Sequence, residues 1–303
     1  MIDKLEYFLA LARARHFGKA AEELGIAQPT LSAGIKQLED ILGVMLVLRG
    51  SRFRGLTPEG EQVLSWARRI VSDTRAMKEE MRASRHGLSG RLRIAAIPTA
   101  LAMVPALTTP FREKHPGVTF TVLSRTSVEV LSMLGNFDID AGITYLDNEP
   151  LGRVVSVPLY SERYQLITAA GNPLSEREEV TWKEVAGLPL CLLTPDMQNR
   201  RIIDQHLAEA AVEARPTLES NSMILLYAHI RTGKWSSIMP LNLAETLGLS
   251  EPIRAIPIVA PDASHIVGLV AAQREPRTPL VAALLDEAAA LAGGFAARGG
   301  AGP

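Results

Sequence analysis

Residues 16–60 read HFGKAAEELGIAQPTLSAGIKQLEDILGVMLVLRGSRFRGLTPEG, and this stretch decides the fold of the N-terminal part of the chain. Within it, apolar Ala20, Ala21 and Leu24 share one face of a short predicted helix. That helix is predicted to end at Gly25, because glycine readily adopts the left-handed conformation that ends many helices. A tight turn and a second helix follow, which is the order of elements in a helix-turn-helix motif.

The second helix is predicted to begin at residues 28–30, Gln-Pro-Thr, because a first helical turn does not use the N–H that proline lacks. Leu31, Ile35 and Leu38 recur at spacings of four and three residues and predict its buried face. Such a helix can present its N-terminal residues to base edges in the major groove of DNA. The candidates for DNA contact on this helix are Gln28, Pro29, Thr30, Ser32 and Lys36.

Residues 44–57 are predicted to form a hairpin, the wing, in which Gly50 and Gly55 permit the bends. Residues 1–90 carry a net charge of +3 and the rest of the chain −4. So small an excess does not by itself indicate nucleic-acid binding, and the prediction depends on where the cations lie. The wing places three arginines together for contacts with phosphates or the flanking minor groove: Arg49, Arg52 and Arg54.

A long helix is predicted from Pro58, because proline suits a first turn while Glu59 and Glu61 suit the positive end of the helix dipole. This helix carries an apolar stripe that predicts a coiled-coil seam, through which two chains would pair side by side. The stripe consists of Val63, Ala67, Ile70, Thr74, Met77 and Met81. A helix packed against its own domain is the alternative that the pattern leaves open.

After residues 85–90, Arg-His-Gly-Leu-Ser-Gly, strands alternate with helices, which indicates an α/β domain with open, largely parallel sheets. Predicted strands cover residues 92–97, 118–122, 139–145, 154–159, 164–169, 188–193, 216–219, 235–239, 253–259 and 265–273. Predicted helices cover residues 101–115, 198–213, 221–232, 241–247 and 278–292, and another begins at Ser127.

The N-terminal pattern resembles the winged helix-turn-helix of the LysR-type transcriptional regulators, and the length of 303 residues fits that family. One departure is that Val47 and Leu48 precede Arg49, where the family usually has an aromatic and an acidic residue. The resemblance implies an α/β fold class: a mostly α-helical winged helix-turn-helix, a long linker helix, and a two-lobed effector domain like a periplasmic binding protein. The residues that carry the resemblance are Phe8, Phe17, Ala20, Ala21, residues 28–32, Ile35, Leu38, Glu39, Leu42, Gly43 and residues 56–60.

Domain boundaries also follow from the resemblance. The DNA-binding domain would cover residues 1–58, the linker (dimerisation) helix and hinge residues 59–89, and the effector-binding domain residues 90–303. Within that last domain, lobe I would take about 90–160 and 270–293, and lobe II about 165–265.

A ligand cleft in such a domain lies beyond the C-terminal ends of the strands, where helix N-termini offer free N–H groups. In the family, effectors are often small carboxylates, and the resemblance places Thr99, Thr126 and Ser127 on the contacting loops. Helix capping, a common role of Ser, Thr and Asn, is the alternative for each candidate. The candidates across the cleft are Gln198, Asn199 and Ser220.

Two segments of the second lobe narrow the resemblance further. Residues 190–201, LCLLTPDMQNRR, and 233–240, GKWSSIMP, are similar to LysR-type regulators that lie beside formate dehydrogenase operons. A small anion such as formate would suit a cleft lined by Thr and Ser, as would many other carboxylates. Trp235 is predicted to fill core rather than shape the cleft, and Lys234 to face solvent.

Several classes of function lack support in the sequence. The single cysteine, Cys191, lies in an apolar run and excludes an intrachain disulfide, and the six histidines show no metal-ligand spacing. No nucleophile elbow, phosphate-binding loop or dinucleotide fingerprint occurs. The sequence therefore predicts no catalytic residue, no metal and no cofactor, and it does not predict an enzyme. Without a visible secretory signal or membrane span, a cytoplasmic location is expected.

The sequence thus predicts a LysR-type transcriptional regulator, an activator, whose promoter binding responds to a small effector. Its expected partners are double-stranded promoter DNA, an anionic or carboxylate effector and copies of itself in a dimer or tetramer, with RNA polymerase as a further candidate. The alternatives are a cytoplasmic solute-binding protein without a transcriptional role and a small-molecule enzyme that uses the cleft.

Overall fold

The computed structural model describes residues 1–48, 53–213, 215–246 and 252–299. It divides into two compact units, Met1–His86 and Gly87–Pro303, and each is considered by itself. Among the described residues, no helix has both the length and the apolar character needed to cross a bilayer.

The described residues of the first unit form four helices, and the predicted helix-turn-helix is confirmed. Helix α2 ends at Gly25, whose φ of 66° is left-handed and whose N–H donates to the carbonyls of Ala21 and Glu22. His16 caps the start of α2, because its Nδ1 accepts a hydrogen bond from the N–H of Lys19. The helices are α1 (Ile2–Ala14), α2 (Phe17–Leu24), α3 (Gln28–Leu42) and α4 (Pro58–His86).

The wing is described on both sides of residues 49–52, which lie outside the described residues. The N–H of Leu48 donates to the carbonyl of Gly55 at 3.0 Å, and the N–H of Thr57 donates to Leu46 at 3.0 Å. The predicted hairpin is therefore paired at its base. Val47 is buried in the unit and Leu48 is exposed, so the family's usual aromatic–acidic pair is replaced by one apolar side chain in the core and one on the surface.

The first half of α4 packs against its own domain and does not form the predicted coiled-coil seam. Leu64 and Ala67 are buried in the core of the first unit, and Val63 and Ile70 pack against that core. The seam prediction is therefore wrong at Ala67, and packing against the helix's own domain, the alternative, applies there. The apolar side chains that α4 leaves exposed are Trp66, Met77 and Met81.

The second unit is built on a mixed sheet of order β2-β1-β3-β10-β4-β9-β5, with β8 also paired to β4, and a small sheet of β6 and β7. The strands are β1 (Ser89–Ala96), β2 (Gly117–Ser124), β3 (Ala141–Tyr145), β4 (Val154–Ala169), β5 (Val180–Thr181), β6 (Cys191–Leu193), β7 (Leu218–Ser220), β8 (Ser237–Pro240), β9 (Ile253–Val259) and β10 (Ser264–Ala272). A 3₁₀ helix covers Pro98–Met103. The α-helices are α5 (Val104–Lys114), α6 (Ser127–Gly135), α7 (Trp182–Ala186), α8 (Gln198–Glu209), α9 (Met223–Ile230), α10 (Leu241–Thr246) and α11 (Pro279–Gly299).

The prediction of largely parallel sheets is wrong, because the longest strands run against their neighbours. Strand β1 is parallel to β2 and β3, but β10 is antiparallel to both β3 and β4. The two predicted strands 154–159 and 164–169 are one strand, β4, of 16 residues. Its first part pairs with β10 and its last part, from Tyr164, pairs with β8 and β9.

Strand β4 therefore passes from one lobe to the other, and the chain returns between β9 and β10. Lobe I contains β1, β2, β3, α5, α6 and α11; lobe II contains β5 to β9 and α7 to α10. The two lobes share β4 and β10 as crossing strands. This arrangement brings the ends of β1 and β2 opposite the loops that follow β6 and β7.

Candidate functional sites

The outer face of α3 is the first candidate site. Gln28, Pro29, Thr30 and Lys36 are exposed, and Ser32 is half-buried. Ala27 precedes the helix and supplies no side-chain cap. Pro29 has no N–H, and the N–H groups of Thr30 and Leu31 donate to the carbonyl of Ala27 at 3.0 and 3.2 Å, so the outer face offers its side chains to a partner.

The opposite face of α3 fixes the position of the helix. Leu31, Ile35 and Leu38 are buried in the core of the first unit. At Gly34 a Cβ atom would lie 2.5 Å from the ring of Tyr7 on α1, so glycine permits the close approach of the two helices. The outer face is thus presented by a helix that is packed tightly from behind.

One buried carboxylate holds the base of the wing. Glu39 Oε1 accepts hydrogen bonds from the N–H of Leu46 at 2.9 Å and of Val47 at 3.3 Å. Thr57 Oγ1 donates to the carbonyl of Met45 at 2.6 Å and accepts from the N–H of Gly60 at 2.9 Å. These bonds tie the two arms of the hairpin to α3 and α4. Of the three predicted wing arginines, Arg54 is exposed, whereas Arg49 and Arg52 lie outside the described residues.

The second candidate site is a cavity of about 540 Å³ between the lobes of the second unit. Lobe I contributes the loops after β1 and β2, and lobe II contributes residues 196–197 and 221–224. A volume of this size lies within the range of about 300–1,000 Å³ usual for small-molecule sites. The residues on the lobe I side are Pro98, Leu101, Ser124, Arg125, Thr126 and Glu129.

Two predicted effector residues, Thr99 and Ser127, lie next to this lining. Each is only 1% exposed, and neither hydroxyl oxygen has a hydrogen-bond partner among the described residues. Leaving a buried hydroxyl unpaired costs about 1–3 kcal/mol, so a ligand oxygen that reached them would remove that cost. Their neighbours Pro98 and Thr126 line the cavity itself.

Thr126 lines the cavity but is also a helix cap. Its Oγ1 accepts from the N–H of Glu129 at 3.2 Å, and Glu129 Oε2 accepts from the N–H of Thr126 at 2.8 Å. This reciprocal pair is a capping box at the start of α6. Ser220 makes a local bond instead, because its Oγ accepts from the N–H of Ser222 at 3.1 Å.

Gln198 and Asn199 are buried and connect α8 to lobe I. Asn199 Nδ2 donates to the hydroxyl of Tyr145 at 3.1 Å, and Gln198 Nε2 lies 3.5 Å from the carbonyl of Asp147. Neither residue is among those that line the cavity, and neither is Lys234 or Trp235. Lys234 is exposed, and Trp235 packs against the core of lobe II beside the ring of His229.

Arg125 is a candidate that the sequence analysis missed. Arg125 lines the cavity, and its guanidinium donates to the carbonyl of Ser124 at 2.7 Å. Within the described part of the chain, no carboxylate forms an ion pair with it. Arg125 immediately precedes Thr126 and Ser127, in a loop that the sequence already predicted to contact the effector. This position is the signal that could have identified it.

Cys191 lies in the core of lobe II. Its Sγ is 3.4 Å from the carbonyl of Ser236 and 3.8 Å from that of Leu226. Burial raises the pKa of the thiol to about 11, so only about one thiol in ten thousand is ionised at pH 7.

Comparison with known proteins gives two family matches. Residues 2–61 match the bacterial regulatory helix-turn-helix protein, lysR family, and residues 85–292 match the LysR substrate binding domain. A probable hydrogen peroxide-inducible genes activator of Mycobacterium avium is 34% identical over 190 residues, which are 62% of this chain and 61% of that protein. The DNA-binding transcriptional dual regulator OxyR of Escherichia coli K12 is 28% identical over 92% of this chain and 90% of its own. A full-length OxyR variant from Pseudomonas aeruginosa superposes with a TM-score of 0.76 at 25% identity, covering 95% of this chain and 94% of that one.

Proposed function

The chain belongs to the LysR family of DNA-binding transcriptional regulators, and from this premise we propose that it reads promoter DNA with α3 and the wing while a small carboxylate in the interlobe cavity controls that activity. It is a regulator and not an enzyme. The observation that carries the DNA proposal is the exposed polar face of α3, with Gln28, Thr30 and Lys36 outward and an apolar face packed behind it.

In this proposal the leading turn of α3 enters the major groove. Gln28, Thr30 and Ser32 contact base edges, and Pro29 shapes the turn that approaches them. Lys36 contacts a phosphate, as does Arg54 from the wing. Arg49 and Arg52 are assigned the same role from the sequence alone, as phosphate or minor-groove contacts.

Replacing Lys36 with alanine is expected to weaken binding to all DNA sequences alike. Losing one phosphate contact should reduce the slope of log affinity against log salt concentration by about one unit. Gln28→Ala should instead cost about 1–3 kcal/mol at the cognate site and relax specificity, because a base contact is lost. Fluorescence anisotropy measures both effects. The full-length protein is titrated onto a DNA fragment of the promoter next to its own gene, over a series of salt concentrations.

Lys78→Ala is the matched control, since Lys78 is also an exposed lysine of the first unit but lies on α4. An unchanged salt slope in Lys36→Ala would remove Lys36 from the interface. If the wild-type protein does not bind promoter fragments even at low salt, the regulatory proposal is wrong and the solute-binding alternative is favoured.

We assign residues 1–58 to DNA binding, 59–89 to the linker and 90–303 to effector binding. Self-association into a dimer or tetramer is supported by exposed apolar side chains on two surfaces: Trp66, Met77 and Met81 on α4, and Val128 on α6. The assembled protein would act as an activator on cytoplasmic promoters, with RNA polymerase as its further partner.

A carboxylate is the proposed effector because Arg125 brings a positive charge to the cavity wall. The buried hydroxyls of Thr99 and Ser127 are donors for its oxygens, and the capping Thr126 completes that wall. Formate is the first candidate, because residues 190–201 and 233–240 are similar to regulators beside formate dehydrogenase operons. Larger carboxylates also fit a cavity of about 540 Å³.

Hydrogen peroxide, which appears in the name of the Mycobacterium avium relative, is not the proposed signal for this chain. The single cysteine is buried, and its raised pKa leaves little reactive thiolate. Cys191→Ala is therefore expected to bind the promoter as the wild type does, with or without peroxide treatment. A peroxide-dependent change in wild-type DNA affinity that Cys191→Ala abolishes would contradict this assignment.

A further inference from the structure

A group of titratable side chains, the hinge cluster, lies where the two crossing strands meet α8. It comprises Tyr145, Asp147, Glu162, His206, Glu209 and His265. Glu162 on β4 and His265 on β10 are directly paired across the two crossing strands. His206 and Glu209 reach the cluster from α8.

Within the hinge cluster, four groups form a continuous line. His206 Nε2 lies 2.9 Å from His265 Nε2, and His206 Nδ1 lies 2.9 Å from Glu209 Oε2. At the other end, His265 Nδ1 faces Asp147 Oδ2 at 3.4 Å, longer than an ordinary hydrogen bond. The two imidazoles are therefore joined to each other, with a carboxylate beyond each.

The short contact between the two Nε2 atoms limits the number of protons. A hydrogen bond there needs one nitrogen that carries a proton and one that does not. If both rings were fully protonated, two N–H groups and two positive charges would face each other. We propose that His206 and His265 form a proton-sensitive latch, which holds α8 on the crossing strand β10 only while their two Nε2 atoms share a single proton.

The surroundings determine which ring stays neutral. Burial, and secondarily the nearby His206, lower the pKa of His265, although Asp147 opposes this. His265 is thus the acceptor, with its own proton on Nδ1 towards Asp147, and His206 is the donor. On its other side, the Nδ1 of His206 faces Glu209, a carboxylate that is 45% exposed and can turn to water.

The other titratable groups in contact with the latch carry little charge at neutral pH. Burial raises the pKa of Glu162 to about 8, so this carboxyl is mostly protonated at pH 7 and accepts or donates within its bond to Tyr145. Burial also keeps Tyr145 and Tyr164 protonated, because it raises the pKa of both phenols. The rings of Tyr164 and Trp182 pack against His206.

The direction of the pH effect follows from these states. A released His265 regains its ordinary pKa of about 6.5, whereas the latched one has a lowered pKa. Protons therefore favour release. The latch is therefore most stable above about pH 6.5 and weakens as the pH falls further, with release favoured up to about tenfold by pH 5.5.

Release of the latch would loosen α8, the helix beside the cavity. Met197, immediately before α8, lines the cavity, and Asn199 in the first turn bonds to Tyr145 of lobe I. Low pH would therefore hold the α8 side of the cavity less firmly. This consequence rests on the effector cleft proposed above. The latch itself needs neither DNA nor an effector.

Hydrogen–deuterium exchange of the full-length protein tests the latch. Peptides that cover α8 are compared at about pH 7.5 and about pH 5.5, after correction for the intrinsic exchange rate, with α5 peptides as an internal reference. In the wild type the protection of α8 should fall by up to about tenfold at the lower pH, and α5 should not change. In His265→Gln, an amide that does not titrate, the protection of α8 should be independent of pH.

His229→Gln is the matched control, because it removes a histidine of α9, outside both α8 and the reference helix α5, and should keep the wild-type response. The proposal is overturned if wild-type α8 protection is equal at both pH values, or if His265→Gln retains the change. Should His265→Gln fail to fold, the wild-type comparison of α8 with α5 decides by itself. Since no ligand is added, failure here leaves the DNA and effector proposals untouched.

Discussion

Arg125→Ala is expected to abolish most of the stabilisation that a carboxylate effector gives the full-length protein. Arg125 lines the cavity, and in the described residues no carboxylate forms an ion pair with it. A hydrogen bond to a charged group contributes about 1.5–3 kcal/mol. Affinity should therefore fall by about tenfold to 150-fold. Thermal-shift titrations with formate, acetate and longer carboxylates measure the loss.

Two variants make this result specific. Arg125→Lys keeps the charge but not the planar fork, so it should retain weakened binding. Arg112→Ala removes an exposed arginine of lobe I far along α5 and should bind like the wild type. Equal stabilisation of Arg125→Ala and wild type would exclude Arg125 from the site. A wild type that no carboxylate in the panel stabilises would exclude the carboxylate effector.

Glu39→Ala is expected to destabilise the first unit by about 2–4 kcal/mol, since two buried N–H groups would each lose their acceptor. Those N–H groups belong to Leu46 and Val47, at the base of the wing. The arm that leads to the wing arginines would then lose its attachment to α3, and promoter affinity should fall with stability. Urea unfolding followed by circular dichroism, together with anisotropy on promoter DNA, measures both.

Glu39→Gln keeps an oxygen acceptor in place and should recover most of the stability. Asp40→Ala, at the exposed neighbouring position, should change the free energy of unfolding by no more than about 0.5 kcal/mol. If Glu39→Ala matched Asp40→Ala, the wing base would not depend on this carboxylate.

The helix-turn-helix could be predicted because its signals are local. Gly25 marks the end of α2, Pro29 marks the start of α3, and the spacing of Leu31, Ile35 and Leu38 selects the buried face. Each signal involves residues within a few positions of one another. Local propensity and periodicity are the information that a single sequence carries best.

Strand direction could not be predicted in the same way. The pairing of β10 with β3 and β4 joins segments far apart in the chain, and alternation of side chains does not indicate the direction of a partner. Helix α7 was missed although Thr181 and Glu184 form a capping box at its start. At five residues it is too short to show a helical period.

The hinge cluster was missed for a related reason. His206 and His265 are 59 positions apart, and neither lies near another histidine in the sequence. Only the register between β4 and β10 and the docking of α8 bring them together. The capping role of Thr126, in contrast, was visible in the Thr-x-x-Glu pattern that ends at Glu129.

The order in which lobe I receives its parts has a consequence during translation. Leu92 and Ile94 of β1 share a core with Leu280 and Leu284 of α11, and β10 lies between β3 and β4 in the sheet. Domains fold as their segments leave the ribosome. The chain therefore completes the first unit early, whereas lobe I is completed last. Products cut short before β10 would retain the reading unit without a finished sensor, and so would occupy promoters without responding to the signal.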